Sequence, residues 1–559
     1  MKIVSRRRKA LNCAVEPLEA RRLLSVSLQP LTNLLLPQGS DAQTVDLSQI
    51  FTDNATGASD LVFTAKSDNT ALAQATLSGS VLSLNFAPTA SGFAHISIQG
   101  TAPDGSSASQ TLRLQITASA DRTLTVPLGT AGHGTFRFVE ANHTIGQITL
   151  TGPGSGTITL GGDNLSLAGT QARGANQELE SIALTGTTSA SRLTIGGVSA
   201  MRGRLYANIG NITSDGSLGS IRMQKVNLVG DITLDGGVSS INIAGAQSSS
   251  LAFGQSIGPI ALTVGNFNDV NLATPAPFGL IRGGDWVSTD SVPESFHAAY
   301  ISRVYMTGNF DVGVQLTGTG APGRTLGKLT VGGAIGGTWN IPGSSAPFLI
   351  GGTTSDWNAT LASVPYIDDL GSMGGSLTIP SLPWLKVHGN MIGTLLNFTG
   401  TSGTDLRSMH VYGVIRSSAI ESGANLGPIL AEALQATLVY AGVAPLPQGQ
   451  VLPASATDLS ASATIESITL RPRGKVKIGF QASDIAAASL GNLALATTEV
   501  NNNGVAFGLA AETIGHVSVR DLTHHRQLNL NNVRDTATLA AQIAASGFTQ
   551  QDLSLTILS

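Results

Sequence analysis

Carboxylates are the first residues of this chain whose spacing could do chemistry. They form three groupings: Asp368 with Asp369, Asp285 with Asp290 and Glu294, and Asp231 with Asp235. Glycoside hydrolysis needs two such groups about 5–5.5 Å or about 6.5–9.5 Å apart, one to give a proton and one to attack or to activate water. Adjacent residues on a strand point to opposite faces, so Asp368 and Asp369 share a site only where the chain turns. Asp521 with His524 and His525 has the composition of an acid–base or metal cluster. Neighbouring histidines on a strand also diverge, however, and Arg520 and Arg526 flank them with charge that repels a cation. His297, His388 and His410 stand singly, as residues expected on a rim or corner. Cys13 is the one cysteine, which excludes an intrachain disulfide and any site built from several thiolates. The run Gly332-Gly333-Ala334-Ile335-Gly336-Gly337 lacks the strand–loop–helix setting of a phosphate loop. No catalytic constellation assembles, and Asp368 with Asp369 is the alternative if the chain is an enzyme. The four tryptophans, Trp286, Trp339, Trp357 and Trp384, have the flat apolar rings that stack on sugars. Trp286 and Trp357 fall in irregular stretches expected to loop outward, which makes them the candidate glycan platforms.

The elements that must position these residues are short and repeated. IGNITSDG (209–216), LGSIRMQK (218–225), VGDITLDG (229–236) and VSSINIAG (238–245) are variants of one phrase. Ile212 to Ile232 spans 20 residues, and so does Ile221 to Ile241. A period near 20 with brief β phrases and Gly corners predicts a solenoid whose Ile, Leu and Val stack inward from coil to coil. A leucine-rich array would demand a strict Leu and Asn ladder, which is missing; a propeller would repeat nearer 40 residues, a period that the doublet of phrases keeps as a minor alternative. The rhythm runs over 122–530, with insertions expected near 274–299, 344–369 and 423–454. The last of these contains LGPILAEALQATLVYAG (426–442), read as one helix. DTATLAAQIAASGFTQQDL (535–553) reads as a second helix, within a C-terminal cap over 531–559 that covers the open last coil.

Composition agrees with a regular β body. Gly accounts for 66 of 559 residues, charged residues for only 12% and hydrophobic ones for 42%, which excludes a solvated disordered chain. Residues 1–25 hold seven of the 31 basic residues and two of the 35 acids. The remaining 24 basic and 33 acidic residues leave the body at a formal charge of −9. That balance argues against a nucleic-acid partner. No apolar run reaches the roughly 18 residues of a membrane-spanning helix.

Residues 28–118 differ in texture. Strand-like runs at 61–65, 73–77, 81–86, 93–100 and 111–117 alternate with turns, and Leu112, Leu114 and Ile116 alternate with Thr111, Arg113 and Gln115. Short strands at this spacing predict an immunoglobulin-sized sandwich. The wording DLSQIFTD (46–53), VFTAKSDNTALAQATLSGSVLSLNFAP (62–88) and APDGSSASQTLRLQIT (102–117) resembles bacterial cadherin-like and Ig-like surface modules. Such modules often hold calcium at an Asp-rich entry loop. The resemblance implies Asp53, Asp60 and Asp104 as an alternative calcium set, although Ala102 stands where an acidic residue is wanted. A calcium cage needs six to eight oxygens.

The leader RRRKALNCAVEPLEARRLLS (6–25) breaks any apolar signal-peptide core with Glu16, Glu19, Arg21 and Arg22. Its segment Glu16-Pro17-Leu18-Glu19-Ala20-Arg21-Arg22-Leu23-Leu24 resembles the LEPR-XLL N-terminal segment of long exported bacterial proteins, with Ala20 where that family has Pro. Glu16, Pro17, Leu18, Glu19, Arg21, Leu23 and Leu24 are the matching sorting positions, and the resemblance implies export to the cell surface or beyond.

The expectation is an all-β chain: an N-terminal Ig/cadherin-like sandwich, a long Gly-rich solenoid (parallel β-helix) and a short helical C-terminal cap. Its expected role is that of an exported, non-enzymatic structural or adhesion protein, without a resident cofactor unless calcium binds. Surface glycans or other envelope proteins are the expected partners. A polysaccharide-binding or polysaccharide-degrading β-helix is the alternative.

Overall fold

Two inward columns of aliphatic and aromatic side chains explain why the body is a solenoid. One runs Ile182–Ile212–Ile232–Leu251–Leu272–Phe296–Val314–Trp339–Ala359–Leu377–Leu396–Ile420–Val439–Ile485–Leu509–Leu555, each residue in parallel register with the next. The other runs Leu193–Ile221–Ile241–Leu262–Ile281–Val304 and on through Phe348, Leu385 and Ile468 to Val517. These side chains are buried, and they join one continuous core along the rod. The 20-residue steps Ile212–Ile232 and Ile221–Ile241 are both exact coil repeats. The computed structural model describes residues 26–53, 60–119, 122–130, 132, 134–140, 143–199, 207–320, 323–459 and 462–559. The sorting segment Glu16–Leu24 lies outside them.

The N-terminal sandwich has a four-stranded sheet ordered Leu34–Pro37, Ser107–Thr117, Gly92–Thr101, Val62–Ser67, and a three-stranded one ordered Gln43–Asp46, Val81–Phe86, Ala73–Ser78. A short pair, Val26–Leu28 with Phe51–Asp53, completes it. Leu47, Phe51, Leu82, Leu84, Ile96, Ile98, Leu112 and Leu114 fill its core. In Ser107–Thr117 every second residue is buried and the intervening polar ones are half-buried. That second face is covered because it lies on the solenoid.

The solenoid opens with antiparallel pairing, where the sequence reading expected coils from 122. Thr135–Val139 pairs antiparallel with Thr144–Thr151, which pairs antiparallel with Arg192–Ser199. Thr123–Gly129 and Ser155–Ala168 do the same on the next face. Parallel stacking starts at Leu179↔Ile209 and Arg192↔Ser220. The antiparallel strands close the first rung, whose open edge would otherwise recruit other chains.

Three further expectations are corrected. The stretches 274–299 and 344–369 are not loops but ordinary coils, with strands Phe278–Val287, Ser295–Ala298, Phe348–Thr353, Asn358–Ser363 and Tyr366–Asp369. Their prolines occupy corners and strand ends, where no ladder N–H is needed. The helix expected over 426–442 is instead a set of short strands, including Ile429–Ala431, Ala433–Gln435 and Leu438–Ala441, stacked on the coil below through Met409↔Ile429 and Ile420↔Val439. Ladder pairing and burial override the helical preference of Leu, Ala and Glu. The real excursion in this region begins at 442 and carries a 3-10 turn, Ala456–Asp458. At the C-terminus the helix is Thr536–Ser546, shorter than expected. Asp535 caps it by accepting the Thr538 N–H at 2.7 Å, and Gly547 ends it in the left-handed conformation (φ 61). The chain then returns as strand Leu553–Ile557, parallel to Phe507–Asp521. No helix among the described residues is long and apolar enough to cross a membrane.

Candidate functional site

One face of the rod is made by strands Phe278–Val287, Ile301–Met306, Leu326–Gly336, Phe348–Thr353, Tyr366–Asp369, Leu382–Val387 and Thr404–Val411. The column Ile281–Val304–Leu329–Phe348–Ile367–Leu385–Met409 points inward from it, so the residues on either side point out. One outward column reads Arg282–Tyr305–Thr330–Leu349–Asp368–Lys386–His410. A second places Arg303 beside Lys328, and Tyr366 beside Trp384. Tyr305, Tyr366, Trp384 and Tyr412 are exposed, Trp384 by 55%. Leu280, Arg282, Arg303, Tyr305, Lys328 and Thr330 line a shallow recess at one end of this strip. At the other end a smaller one is lined by His410, Tyr412, Glu432, Arg471 and Arg473.

Around Tyr412 the rings are ordered. His410 stacks on it with centroids 4.0 Å apart, His388 stacks at 5.2 Å, and the Lys386 ammonium lies 5.7 Å from its ring centre. The His388 imidazole Nε2 is 3.0 Å from Asp368 Oδ1. Burial, then the positive charges of Lys386, Arg473, His388 and Arg471, hold His410 below its ordinary pKa. The local field is therefore basic on a chain whose body is acidic overall.

The expected glycan platforms Trp286 and Trp357 are inside the rod, 0% and 1% exposed. Trp286 pairs in register between Phe267 and Phe310, belongs to an edge-to-face aromatic stack with them, and donates its indole N–H to the Val270 carbonyl at 3.0 Å. Both tryptophans were misplaced by reading their stretches as loops. Of the four tryptophans Trp384 is the exposed one. Its own phrase held the signal: in Leu382-Pro383-Trp384-Leu385-Lys386-Val387, Leu385 and Val387 alternate inward and leave Trp384 and Lys386 outward.

Asp368 and Asp369 diverge as strand geometry dictates. Asp369 is fully buried, accepts the Gly371 N–H at 2.8 Å and is pushed up to about 6 by burial, whereas Asp368 faces the strip. The charge of Asp368 adds to that rise, but of the two only Asp368 is open to the strip. His524 Nδ1 sits 2.5 Å from Asp521 Oδ2, and Asp521 also accepts the Thr523 N–H, as in a self-contained turn. Asp53, Asp60 and Asp104 do not form a group within ligand distance among the described residues. Asp104 is instead engaged by the Ser106 N–H and hydroxyl.

Acidic side chains do converge where the sandwich meets the rod. Asp231 receives the Arg113 guanidinium in a two-pronged pair, both contacts 2.6 Å. Asp290 accepts the Thr111 N–H at 2.8 Å, and Ser109 and Ser291 exchange bonds of 2.8 Å. Glu180 accepts the Ala118 N–H at 2.8 Å. Strand Ser107–Thr117 therefore runs along the rod axis: Gln115 meets Asn211, Arg113 meets Asp231, and Thr111 and Ser109 meet the coil at 290–291. Six residues of strand at about 3.3 Å cover the same ~20 Å as four rungs at about 4.8 Å, so the spacings match. The sequence reading grouped Asp290 and Glu294 with Asp285. The structure brings them to Asp269 instead, and the three carboxylates lie within 4.8 Å of one another. Asp269 precedes Asp290 by one coil, which is the signal that would have found it. At the other end of the junction, beside Phe93, Glu178 is raised to about 8 by burial, with Glu140 and Glu180 adding repulsion.

No protein-family model matches this chain, and no curated protein matches it either. The site must therefore be read from its own chemistry.

Proposed function

We propose that this chain is an exported, non-enzymatic adhesion protein of the cell surface or matrix, and that its solenoid binds an anionic polysaccharide along the Tyr305–Tyr412 strip. The carrying observation is that exposed Tyr305, Tyr366, Trp384 and Tyr412 share one face with Arg282, Arg303, Lys328, Lys386, Arg471 and Arg473. Aromatic faces stack on the apolar sides of sugar rings, and guanidinium and ammonium groups pair with uronate or sulfate. A flat, open strip suits a long polymer contacted at many rungs, each contact weak and the sum strong. The divergence of Asp368 and Asp369 supports a binding role over hydrolysis on this face. Export rests on the LEPR-XLL resemblance alone.

The test is retention of the full chain on immobilised polyuronate and sulfated polysaccharides against neutral glucan, across a salt series. Binding to the acidic polymers that falls with salt is expected. Equal binding to neutral glucan, or none to any acidic polymer, overturns the reading. Release of unsaturated or reducing ends would replace it with a degrading enzyme.

A further inference from the structure

The acidic trio at the sandwich–solenoid junction, two of its three carboxylates buried, has no use in glycan binding, and it is built like a cation site. Asp269 comes from strand Ile260–Ala273, and Asp290 and Glu294 from the turn after Phe278–Val287, one coil later. Glu294 is only 4% exposed, and its Oε2 has no hydrogen-bond partner. Leaving such an atom bare in a dry site is costly unless something positive meets it. Among the described residues no Lys or Arg forms an ion pair with any of the three. The surrounding backbone fixes the other two carboxylates. The Thr289 N–H and hydroxyl donate to Asp269 at 2.6 and 2.5 Å, and the Val292 and Thr111 N–H groups donate to Asp290, each at 2.8 Å. Asp269 is held with φ at 54, a left-handed conformation that a non-glycine residue adopts at a cost.

The geometry points to a calcium site formed by Asp269, Asp290 and Glu294, which clamps the sandwich onto the solenoid through the Asp290–Thr111 contact. Three carboxylates without His or Cys are hard donors, which select Ca²⁺ or Mg²⁺ over zinc. Their origin on two successive coils makes an irregular cage, which Ca²⁺ accepts and Mg²⁺, needing near-ideal octahedral ligands, does not. Two positive charges largely offset three negative ones. Burial raises Glu294 to about 8 when no cation is bound; a hydrogen bond from the Ser288 side chain to the carboxyl opposes part of that rise, and repulsion from Asp269 and Asp290 adds to it. Asp290 is half-exposed, so solvent can supply the ligands that the three carboxylates do not.

Trp286 supplies a reporter, because its indole donates to the carbonyl of Val270, the neighbour of Asp269. Terbium added to the full chain should luminesce on tryptophan excitation and be displaced by Ca²⁺, with half-saturation on the order of 0.1–1 mM, and much less readily by Mg²⁺. Ca²⁺ should also raise the Tm of the same protein relative to chelator. Glu294→Gln keeps the side-chain volume and removes one ligand charge, and it should weaken the displacement at least tenfold while the circular dichroism spectrum is retained. The absence of saturable, calcium-displaceable emission from the unmodified chain overturns the site, whatever the variant does. Undiminished emission in Glu294→Gln overturns it as well. Both results are independent of polysaccharide binding.

Discussion

Two faces of one solenoid share the same inward logic and differ almost entirely outside. The face that carries the Ile212–Ile232–Leu251 column presents Thr213, Thr233, Ala252, Ala273, His297, Gln315, Asn340, Thr360, Thr378 and Asn397 outward, in register. This column is a run of small and mostly neutral polar groups, while the neighbouring outward positions Asn211 and Asp231 take the sandwich. The face that carries Ile281–Val304–Leu329 presents Arg282, Tyr305, Lys386 and His410 in one column and Arg303, Lys328, Tyr366 and Trp384 in the other. Backbone pairing and core are equivalent, so the fold does not require the second set. Exposed aromatic rings among guanidinium groups gain nothing from burial, and their concentration on one side is what the proposed polysaccharide strip rests on.

The sharpest way to break that contrast is to truncate one tryptophan of each kind. Trp286→Ala removes a fully buried ring packed against Phe267, Phe296 and Phe310. It should cost about 3–5 kcal/mol, read as a fall in the denaturation midpoint. Trp384→Ala should leave that midpoint within about 0.5 kcal/mol and instead weaken acidic-polysaccharide binding by roughly tenfold, or about 1.4 kcal/mol. If Trp286→Ala spared stability, or Trp384→Ala spared binding, the division into core and ligand faces would fail. A smaller effect is expected at the junction. Arg113→Ala leaves Asp231 with the Ser250 N–H but without its charged partner, and it should cost about 1–3 kcal/mol. Arg113→Lys should recover only part, since an ammonium cannot make both contacts.

How much of this was legible follows from what each residue needs. The inward columns need only an aliphatic or aromatic side chain at a regular interval, so Ile212, Ile232, Ile221 and Ile241 announce the coil by themselves. Outward alignment needs the length of every coil. Tyr305 to Thr330 takes 25 residues and Tyr366 to Trp384 takes 18, so a fixed period of 20 misaligns both. Trp286 and Trp357 were misread for a related reason: prolines at corners look like loop prolines until the strands around them are known to pair. Leu426–Gly442 failed because strands of two to four residues are too short to display a period of two. The alternation over Thr111–Thr117 predicts a half-buried strand, whereas in the structure its polar face is also covered. What covers it lies more than a hundred residues away, at Asp231 and Asp290, and no local pattern reports that.

The smallest effect expected is also the one that separates the two faces by charge alone. Burial, Lys386, Arg473, His388 and Arg471 hold His410 below the ordinary imidazole value of 6.5, so near neutral pH it is uncharged. A bound polyanion brings negative charge beside it and favours the protonated form, so by linkage binding must tighten as pH falls through the range below 6.5. The same shift acts oppositely on the free protein. A depressed imidazole pKa contributes stability that is present at higher pH and is lost as pH falls through the folded value. Acid should therefore strengthen binding a few-fold while slightly lowering the Tm of the unbound chain. His410→Gln should flatten the His410 part of the binding slope and leave binding at pH 8 nearly unchanged. His297→Gln, on the exposed Thr/Asn face, removes an equivalent ring from the same rod and should leave the slope intact. Equal flattening by both substitutions would mean that the polymer does not distinguish the two faces.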